Sequence, residues 1–413
     1  MRKIIVLITS AFPYEKGEAF LEEEVKFVNC DILIILPLAG KGSPRELKTP
    51  VSYEVYSLPL HSRWAWFCSL LCQLFYGKLF QELRSLHQAG KLFPTAIMKS
   101  LSFLSHGGLY KKEAVKILSS IVKPGDSVCF YGYWFLLQAY IAVELKRYFG
   151  GTAVSRCHGG DLYEERNKLG VLPMRRYLIE QLDAIYTISE HGKKYLESRY
   201  QYLGKKITIN RLGTEAGAHT AHSKRPTFSI VSCSWISEVK RVDRIISVLS
   251  RLPNKNIQWT HLGGGILENE MIKAAQRQLE GKIDWNITGV ISHEEIMKQY
   301  ADNDYNLFIN LSSSEGIPVS IMEACSYGIP ILATNVGGSS EIVDDGYNGF
   351  LVEKDFSDEN VVSIIERVLQ MNDNDYDCIC RNSLLRWQEK FSAQNNYSKF
   401  YANLPFCFLK DEV

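Results

Sequence analysis

The sequence predicts an α/β protein of two domains, each built on a parallel sheet. Three observations carry that prediction. At 413 residues the chain is too long for one ordinary core. Short apolar runs alternate with helix-like stretches, the rhythm of repeated strand–helix units. The small, polar segment 215–226, EAGAHTAHSKRP, ends in proline and separates two halves of opposite charge, so it reads as an interdomain linker.

The charge asymmetry is large. Residues 1–225 hold 31 Lys or Arg against 20 Asp or Glu, whereas residues 226–413 hold 16 against 26. The basic half is expected to meet something anionic, such as a membrane surface or a phosphate-bearing acceptor. Nucleic acid is not expected, because no recognition motif or interleaving of aromatic and basic residues accompanies the charge. A hydrophobic content of 46% with 23% charged residues is that of a soluble globular chain. The opening MRKIIVLITSAFP has too short an apolar run for a leader and meets Pro13 and Glu15 at once, so it reads as a first strand in a cytosolic protein. None of the ten cysteines forms a CxxC pair or has histidines at zinc-ligand spacing, and reduced thiols are expected.

Taken in order, Ile4 to Thr9 is a strand, and Ser10 to Phe20 a loop that places Gly17 at its carboxyl edge, with a helix from Glu18 to Phe27. Cys30 to Leu38 and Ser52 to Leu58 are strands. Between 61 and 122 an apolar helical stretch contains Trp64, Trp66, Phe67, Leu70, Leu71, Leu74, Phe75, Leu79 and Phe80. It is too short and interrupted to span a bilayer. Two readings stay open for it: a helix packed in the first core, which the general bias toward core packing favours, or one lying in a membrane interface, to which Lys111, Lys112 and Lys116 lend some weight.

Further strands are expected at Ser127 to Tyr131, Thr152 to Arg156, Ala184 to Ser189 and Lys206 to Arg211, with a helix from Phe135 to Phe149. The strand ending at Arg156 delivers His158-Gly-Gly-Asp161 in a glycine-loosened turn. There an imidazole can hydrogen-bond a bound ligand, with Asp161 to orient it or accept from a ligand hydroxyl. In the second half, strands are expected at Phe228 to Cys233, Trp259 to Leu262 and Tyr305 to Leu311, with a helix at Glu294 to Tyr300. Gly263-Gly-Gly permits close backbone approach. From Asp358 to Met371 a helix is expected, followed by an Asn/Asp-rich turn.

The most informative run is Ser312 to Val352. Pro318 suits a first helical position, and Gly328 with Pro330 supplies the stop, which predicts a helix over 319–327. The amides of Gly316, Ile317 and Val319 then point at whatever precedes the helix, where the dipole favours an anion such as phosphate. Glu315 sits on the lip of that turn and Glu323 inside the helix, so two carboxylates address one ligand from different depths. After a buried strand in IILATN, Gly337-Gly338 repeats the turn, with Ser339 or Ser340 as cap of a helix carrying Glu341. Two such turns on one edge of a parallel sheet mark where these sheets bind ligands.

Glu315-Gly-Ile-Pro with Glu323, Gly328-Ile-Pro, Asn335-Val-Gly-Gly, Glu341-Ile-Val and Gly349-Phe-Leu-Val closely resemble the donor-site signature of the family 4 retaining glycosyltransferases of GT-B fold. That resemblance implies two Rossmann-like domains, here 1–218 and 219–385, with a final helical segment 386–413 crossing back to the first. It implies transfer of a sugar from a nucleotide-diphosphate donor to a hydroxyl of a saccharide acceptor, expected to be lipid-linked, in polysaccharide assembly, with no cofactor and no metal. Asp373-Asn-Asp375 falls in a late charged turn and is read as solvated. Glu323 would hold the ribose, and Glu315 with Gly316, Ile317, Pro318 and Val319 would fix the donor sugar. Lys240 fits the second position of the family's Arg/Lys diphosphate clamp, but Ser234 and Trp235 stand where the arginine would be. Arg241 and Arg211 are the candidates to replace it. The family has histidine and glycine at the place of His158 and Gly159, and a fuller glycine turn near Gly17. Ile287-Thr-Gly-Val-Ile-Ser resembles the segment whose backbone meets the base. Two alternatives remain: a nucleotide-sugar epimerase on the same scaffold, or a binding subunit without activity.

Overall fold

The computed structural model describes residues 2–14, 18, 20–59, 61–74, 77–200, 207–217, 227–252 and 256–409. The chain forms two compact units, one made of residues 1–211 with 397–413 and the other of 212–396. Gly17 and positions 218–226 of the linker lie outside the described residues.

The first unit runs β1 (Lys3–Thr9), α1 (Leu21–Val25), β2 (Ile32–Pro37), β3 (Ser52–Val55), α2 (Arg63–Gln73), α3 (Gly77–Gln88), α4 (Pro94–Leu118), β4 (Ser127–Gly132), α5 (Leu137–Phe149), β5 (Thr152–Cys157), α6 (Arg175–Gln181), β6 (Ala184–Thr187), α7 (Glu190–Arg199) and β7 (Ile207–Ile209). Its strands lie in the order β3-β2-β1-β4-β5-β6-β7, all parallel, with Ile4 opposite Ile32 on one side and Val128 on the other. Because successive side chains of β1 point to opposite faces, Ile4, Val6 and Ile8 enter a core with α4 and α5. Ile5 and Leu7 enter a second core with α1 and the chain's C-terminal residues Phe400 and Tyr401. A strand covered on both faces must be apolar throughout, which is why β1 shows no alternation.

The second unit runs β8 (Phe228–Cys233), α8 (Val242–Leu249), β9 (Ile257–Leu262), α9 (Glu268–Leu279), β10 (Asp284–Ile287), α10 (His293–Asp302), β11 (Leu307–Asn310), α11 (Val319–Ser326), β12 (Ile331–Thr334), α12 (Ser339–Ile342), β13 (Gly349–Val352), α13 (Asp358–Gln370) and α14 (Asp373–Lys390). Its order is β10-β9-β8-β11-β12-β13. In each unit the winding reverses beside the first strand, between β1 and β4 and between β8 and β11. The loops leaving those pairs therefore diverge and leave a crevice.

Several sequence expectations need correction. The Asn/Asp-rich segment is not a turn: Asn372 accepts from the Asp375 amide at 2.9 Å and starts α14. Acidic residues there suit the helix dipole. The final helix is two, α14 and α15 (Ala393–Ala402), broken at Phe391 and Ser392. The segment 386–396 accordingly stays with the second unit, where Trp387 Nε1 donates to Thr214 Oγ1 at 2.8 Å. The first sheet is not purely parallel, since β14 (Cys407–Phe408) pairs antiparallel with β4. Ser339 is not a cap: Gly338 precedes α12 and no side chain caps it. All ten cysteines are free.

The apolar stretch after residue 61 packs only partly into the first core. Leu79 is buried in the first core, but Trp64, Phe67, Leu71, Leu74 and Phe80 are exposed. No helix among the described residues is long and apolar enough to cross a membrane.

Candidate functional site

The second unit's crevice is assembled by loops that bond to one another. Arg241, at φ +48°, turns its guanidinium back onto the carbonyls of Leu311 (2.6 Å), Ser312 (3.1 Å) and Lys354 (2.9 Å). The Ser313 amide donates to Val239 at 2.8 Å. These bonds tie the exit of β8 to the exit of β11, and they place Lys240 against Glu315, with Nζ donating to Oε1 at 2.7 Å. Asn310 Nδ2 approaches the same oxygen at 3.4 Å. Glu315 is buried and Lys240 partly exposed. Arg241 is thus committed to backbone carbonyls and does not stand in for the missing clamp arginine.

The double glycine after β12 holds this turn from the other side. Gly338 donates its amide to the Gly316 carbonyl at 2.7 Å. Gly337 has φ +57°, and a Cβ there would lie 2.0 Å from the Glu315 carbonyl oxygen, so only glycine fits. Pro318 is extended (ψ 106°) and stands just before α11, one position earlier than expected. The amides of Val319 and Ser320 begin the helix with no protein acceptor, leaving donors and the positive end of the dipole toward the crevice. Gly328 closes the helix at φ +75°.

A third loop completes the wall. Ser234 and Ile236 donate their amides to the carbonyls of Leu262 (3.1 Å) and Gly264 (2.9 Å). Cβ atoms at Gly263 and Gly265 would each lie 2.3 Å from carbonyl oxygens of that segment. Close backbone approach is therefore what the three glycines serve. Beneath them runs a buried polar chain: Trp259 Nε1 donates to Ser232 Oγ (3.0 Å), which lies 2.8 Å from His261 Nδ1, while His261 Nε2 lies 3.2 Å from the Ser234 carbonyl. Every contact is satisfied when Ser232 donates to Nδ1 and the neutral ring donates from Nε2. Burial lowers the His261 pKa to about 4, which keeps it in that form.

These loops enclose a pocket of about 430 Å3 whose lining includes Trp235, Gly264, Lys240, Glu315, Pro318 and Val319. Glu323 is not part of that lining. It lies buried in α11, and His293 Nε2 at the start of α10 sits 2.8 Å from its Oε1. A shallow polar hollow of about 410 Å3, lined by Ser363, Arg367 and Asp375, lies apart from the strand ends and carries none of these groups.

The first unit places His158 and Asp161 together at the exit of β5. Asp161 accepts from the His158 amide (2.7 Å) and the Phe135 amide (2.9 Å), and its Oδ2 lies 3.5 Å from His158 Nδ1. Burial alone would raise the Asp161 pKa, but the neighbouring His158 ring and the hydrogen bonds from these amides outweigh it and hold the carboxyl below its usual range. The imidazole packs among the rings of Tyr133 and Trp134, each 4.7 Å away between centroids, and Phe20. Beside it, Glu18 accepts the consecutive amides of Ser10 (3.0 Å), Ala11 (2.8 Å) and Phe12 (2.8 Å) as well as Trp134 Nε1. No group of three or more potential metal-ligating side chains occurs among the described residues.

Sequence reasoning missed Glu18, Trp134, Asn310 and His293. None carries a motif, and each matters only because a distant strand exit lies beside it. The signal at Asn310 was its place, five residues before Glu315 at the end of β11.

Residues 220–383 match the family model for glycosyl transferases group 1. Over 232 residues the chain is 25% identical to the O-antigen biosynthesis glycosyltransferase WbnH of Escherichia coli, a match covering 56% of this chain and 62% of that protein. The chain thus spans less than two thirds of that relative's length. Over 406 residues it is 24% identical to the putative colanic acid biosynthesis glycosyltransferase WcaL of Salmonella typhimurium, covering 93% and 94% of the two chains. Among solved structures, HepE of Anabaena in complex with UDP and glucose superposes with a TM-score of 0.64 at 15% identity, covering 97% of this chain and 98% of that one. The lipopolysaccharide outer core galactosyltransferase WaaB superposes with a TM-score of 0.62 at 14% identity, covering 97% and 100%. The fold is GT-B.

Proposed function

We propose that this chain, which has the GT-B fold and carries a glycosyl transferases group 1 domain over residues 220–383, moves a sugar from a nucleotide-diphosphate donor to a hydroxyl of a saccharide acceptor with retention of configuration. The observation that carries the reading is the Lys240–Glu315 pair, 2.7 Å apart at the exits of β8 and β11, beside the unpartnered amides that open α11. A cation and oriented amides suit a diphosphate, on which charge grows as it leaves. A buried, immobile carboxylate beside them suits a sugar hydroxyl.

In this reading Lys240 and the amides of Val319 and Ser320 receive the diphosphate, and Gly316, Ile317 and Pro318 shape the turn that faces the donor sugar. Glu315 fixes that sugar so that the acceptor attacks the face from which the diphosphate departs. Glu323, oriented by His293, takes the ribose hydroxyls. His158, held by Asp161, contacts transferred sugar or acceptor. The reading needs no cofactor and no metal. The acceptor is lipid-linked and the enzyme works at the cytoplasmic face of a membrane. The basic first half and the names of the O-antigen and colanic acid relatives support this last part.

The test is calorimetry of the full chain with UDP and GDP, followed by transfer assays with the matching nucleotide sugars. Micromolar binding of one nucleotide, abolished in Lys240→Met, is expected. Absence of binding to either would discard the reading.

A further inference from the structure

Helix α2 leaves a row of large apolar side chains uncovered. Its inward side mixes apolar and polar groups: Trp66 and Leu70 are half-buried and the Trp66 ring lies 6.1 Å from that of His106 in α4, while Ser69 Oγ donates to the Ser105 carbonyl of α4 at 3.1 Å, Ser105 Oγ donates to the Trp66 carbonyl at 2.9 Å, and Gln73 is the one buried residue of the helix. A Cβ on Gly108 of α4 would come within 3.2 Å of Gln73 Nε2, so the two helices are drawn together by a serine, a glycine and hydrogen bonds. Four large apolar residues lie on the other side. Trp64, Phe67, Leu71 and Leu74 recur at helical spacing as one stripe, and Trp64 is 73% exposed. The rings of Trp64 and Phe67 stack at 6.1 Å, which makes the outward surface continuous. A face of this kind in water marks an interaction site.

Charge selects the partner. Residues 61–118 contain eight Lys or Arg and only two Asp or Glu. Lys78 and Lys91 are neutralised by Glu144 and Glu164, and one of the two acids, Glu82, is buried. Arg63, adjoining Trp64, and Lys112 and Lys116 of α4 are exposed and form no ion pair. Lys112 and Lys116 follow Ser105 and Gly108 at helical spacing, so they continue the face of α4 on which α2 rests. Tryptophan and phenylalanine beside unpaired cations, with no exposed acid on α2, match a layer that is negatively charged outside and apolar just beneath.

We infer that the outward face of α2 is a docking surface for an anionic lipid bilayer, with Trp64, Phe67, Leu71 and Leu74 entering the interface and Arg63, Lys112 and Lys116 meeting the headgroups. This goes beyond the general membrane proximity proposed above by assigning it to one helix, and it does not depend on the donor chemistry. Full-length protein is to be sedimented with vesicles of phosphatidylcholine alone and with phosphatidylglycerol added, while tryptophan emission is followed. Binding to the phosphatidylglycerol vesicles only, with a blue shift and weakening in high salt, is expected. Partitioning should fall by about tenfold or more in Trp64→Ser/Phe67→Ser/Leu71→Ser and by several-fold in Lys112→Glu/Lys116→Glu. Nucleotide affinity of both variants should match wild type, which separates failure of this inference from failure of the donor-site reading. The inference is overturned if wild type ignores anionic vesicles or if both variants bind them like wild type. It is likewise overturned if sedimentation velocity shows a dimer that the triple variant dissociates, in which case a second copy covers the stripe.

Discussion

Lys240 Nζ stands 2.7 Å from Glu315 Oε1, so the cation and the carboxylate assigned to donor recognition neutralise one another in the absence of donor. On the proposed reading, a diphosphate entering the pocket competes with Glu315 for the ammonium and frees the carboxylate for the sugar. Replacing Glu315 by Gln removes the competitor and the sugar contact together. Transfer should fall by about 10²–10³-fold. Affinity for the free nucleoside diphosphate should rise by about fivefold, the worth of one partly exposed ion pair. Unchanged or weakened binding by calorimetry would show that the pair does not guard the phosphate site.

Gly337→Ala tests the turn that holds Glu315. The new methyl group would need φ +57° and the space now filled by the Glu315 carbonyl. A loss of about 2–3 kcal/mol is expected, together with weaker nucleotide binding. Gly346→Ala is the control: its φ is +77° but nothing crowds the added atom, so urea unfolding should show a smaller loss and normal affinity.

The first unit is held to the chain's end by a buried ion pair. Arg156 and Glu24 are fully buried, joined at 2.6 Å, with Tyr131 and Tyr401 hydroxyls on Glu24 and the Phe400 ring 4.4 Å from the guanidinium. Arg156→Ala leaves Glu24 charged in an apolar site and should cost about 3–5 kcal/mol. Arg156→Met/Glu24→Leu should recover much of it, because neither charge then needs a partner. A double variant no more stable than Arg156→Ala in equilibrium unfolding would contradict this account.

His261 sets a pH dependence for the second unit. Its folded pKa is depressed from 6.5 to about 4, so the unfolded chain binds a proton between those values that the folded one does not. Stability is then complete above about pH 6.5 and declines as pH falls toward 4, by about 3 kcal/mol in all. His261→Asn should flatten that limb of the stability curve. Asp161 and Asp358, whose pKa values are lowered, lose their contribution as pH falls from about 5, so the part of the limb between about pH 6.5 and 5 reports His261.

Much of the site was legible because its residues are contiguous. Glu315, Pro318, Glu323, Gly328 and Gly337 lie in one run whose glycines and prolines are dictated by local backbone geometry. Two expectations failed by a single position, Pro318 and Ser339, since cap residues differ only in ψ. The acidic segment at 372–377 failed differently: side chains that favour turns also cap helices, and Asn372 took the second role.

By itself the sequence determined the two-unit α/β plan and the turns that open α11 and α12, because apolar periodicity and glycine or proline placement act within a few residues. Only the tertiary structure decided that Lys240 meets Glu315, that Arg241 is spent on the carbonyls of Leu311 and Ser312, and that α2 turns Trp64 outward. Those outcomes join residues up to 75 positions apart, or depend on which side of a helix finds a neighbour. Local propensity is blind to both, and packing settles them.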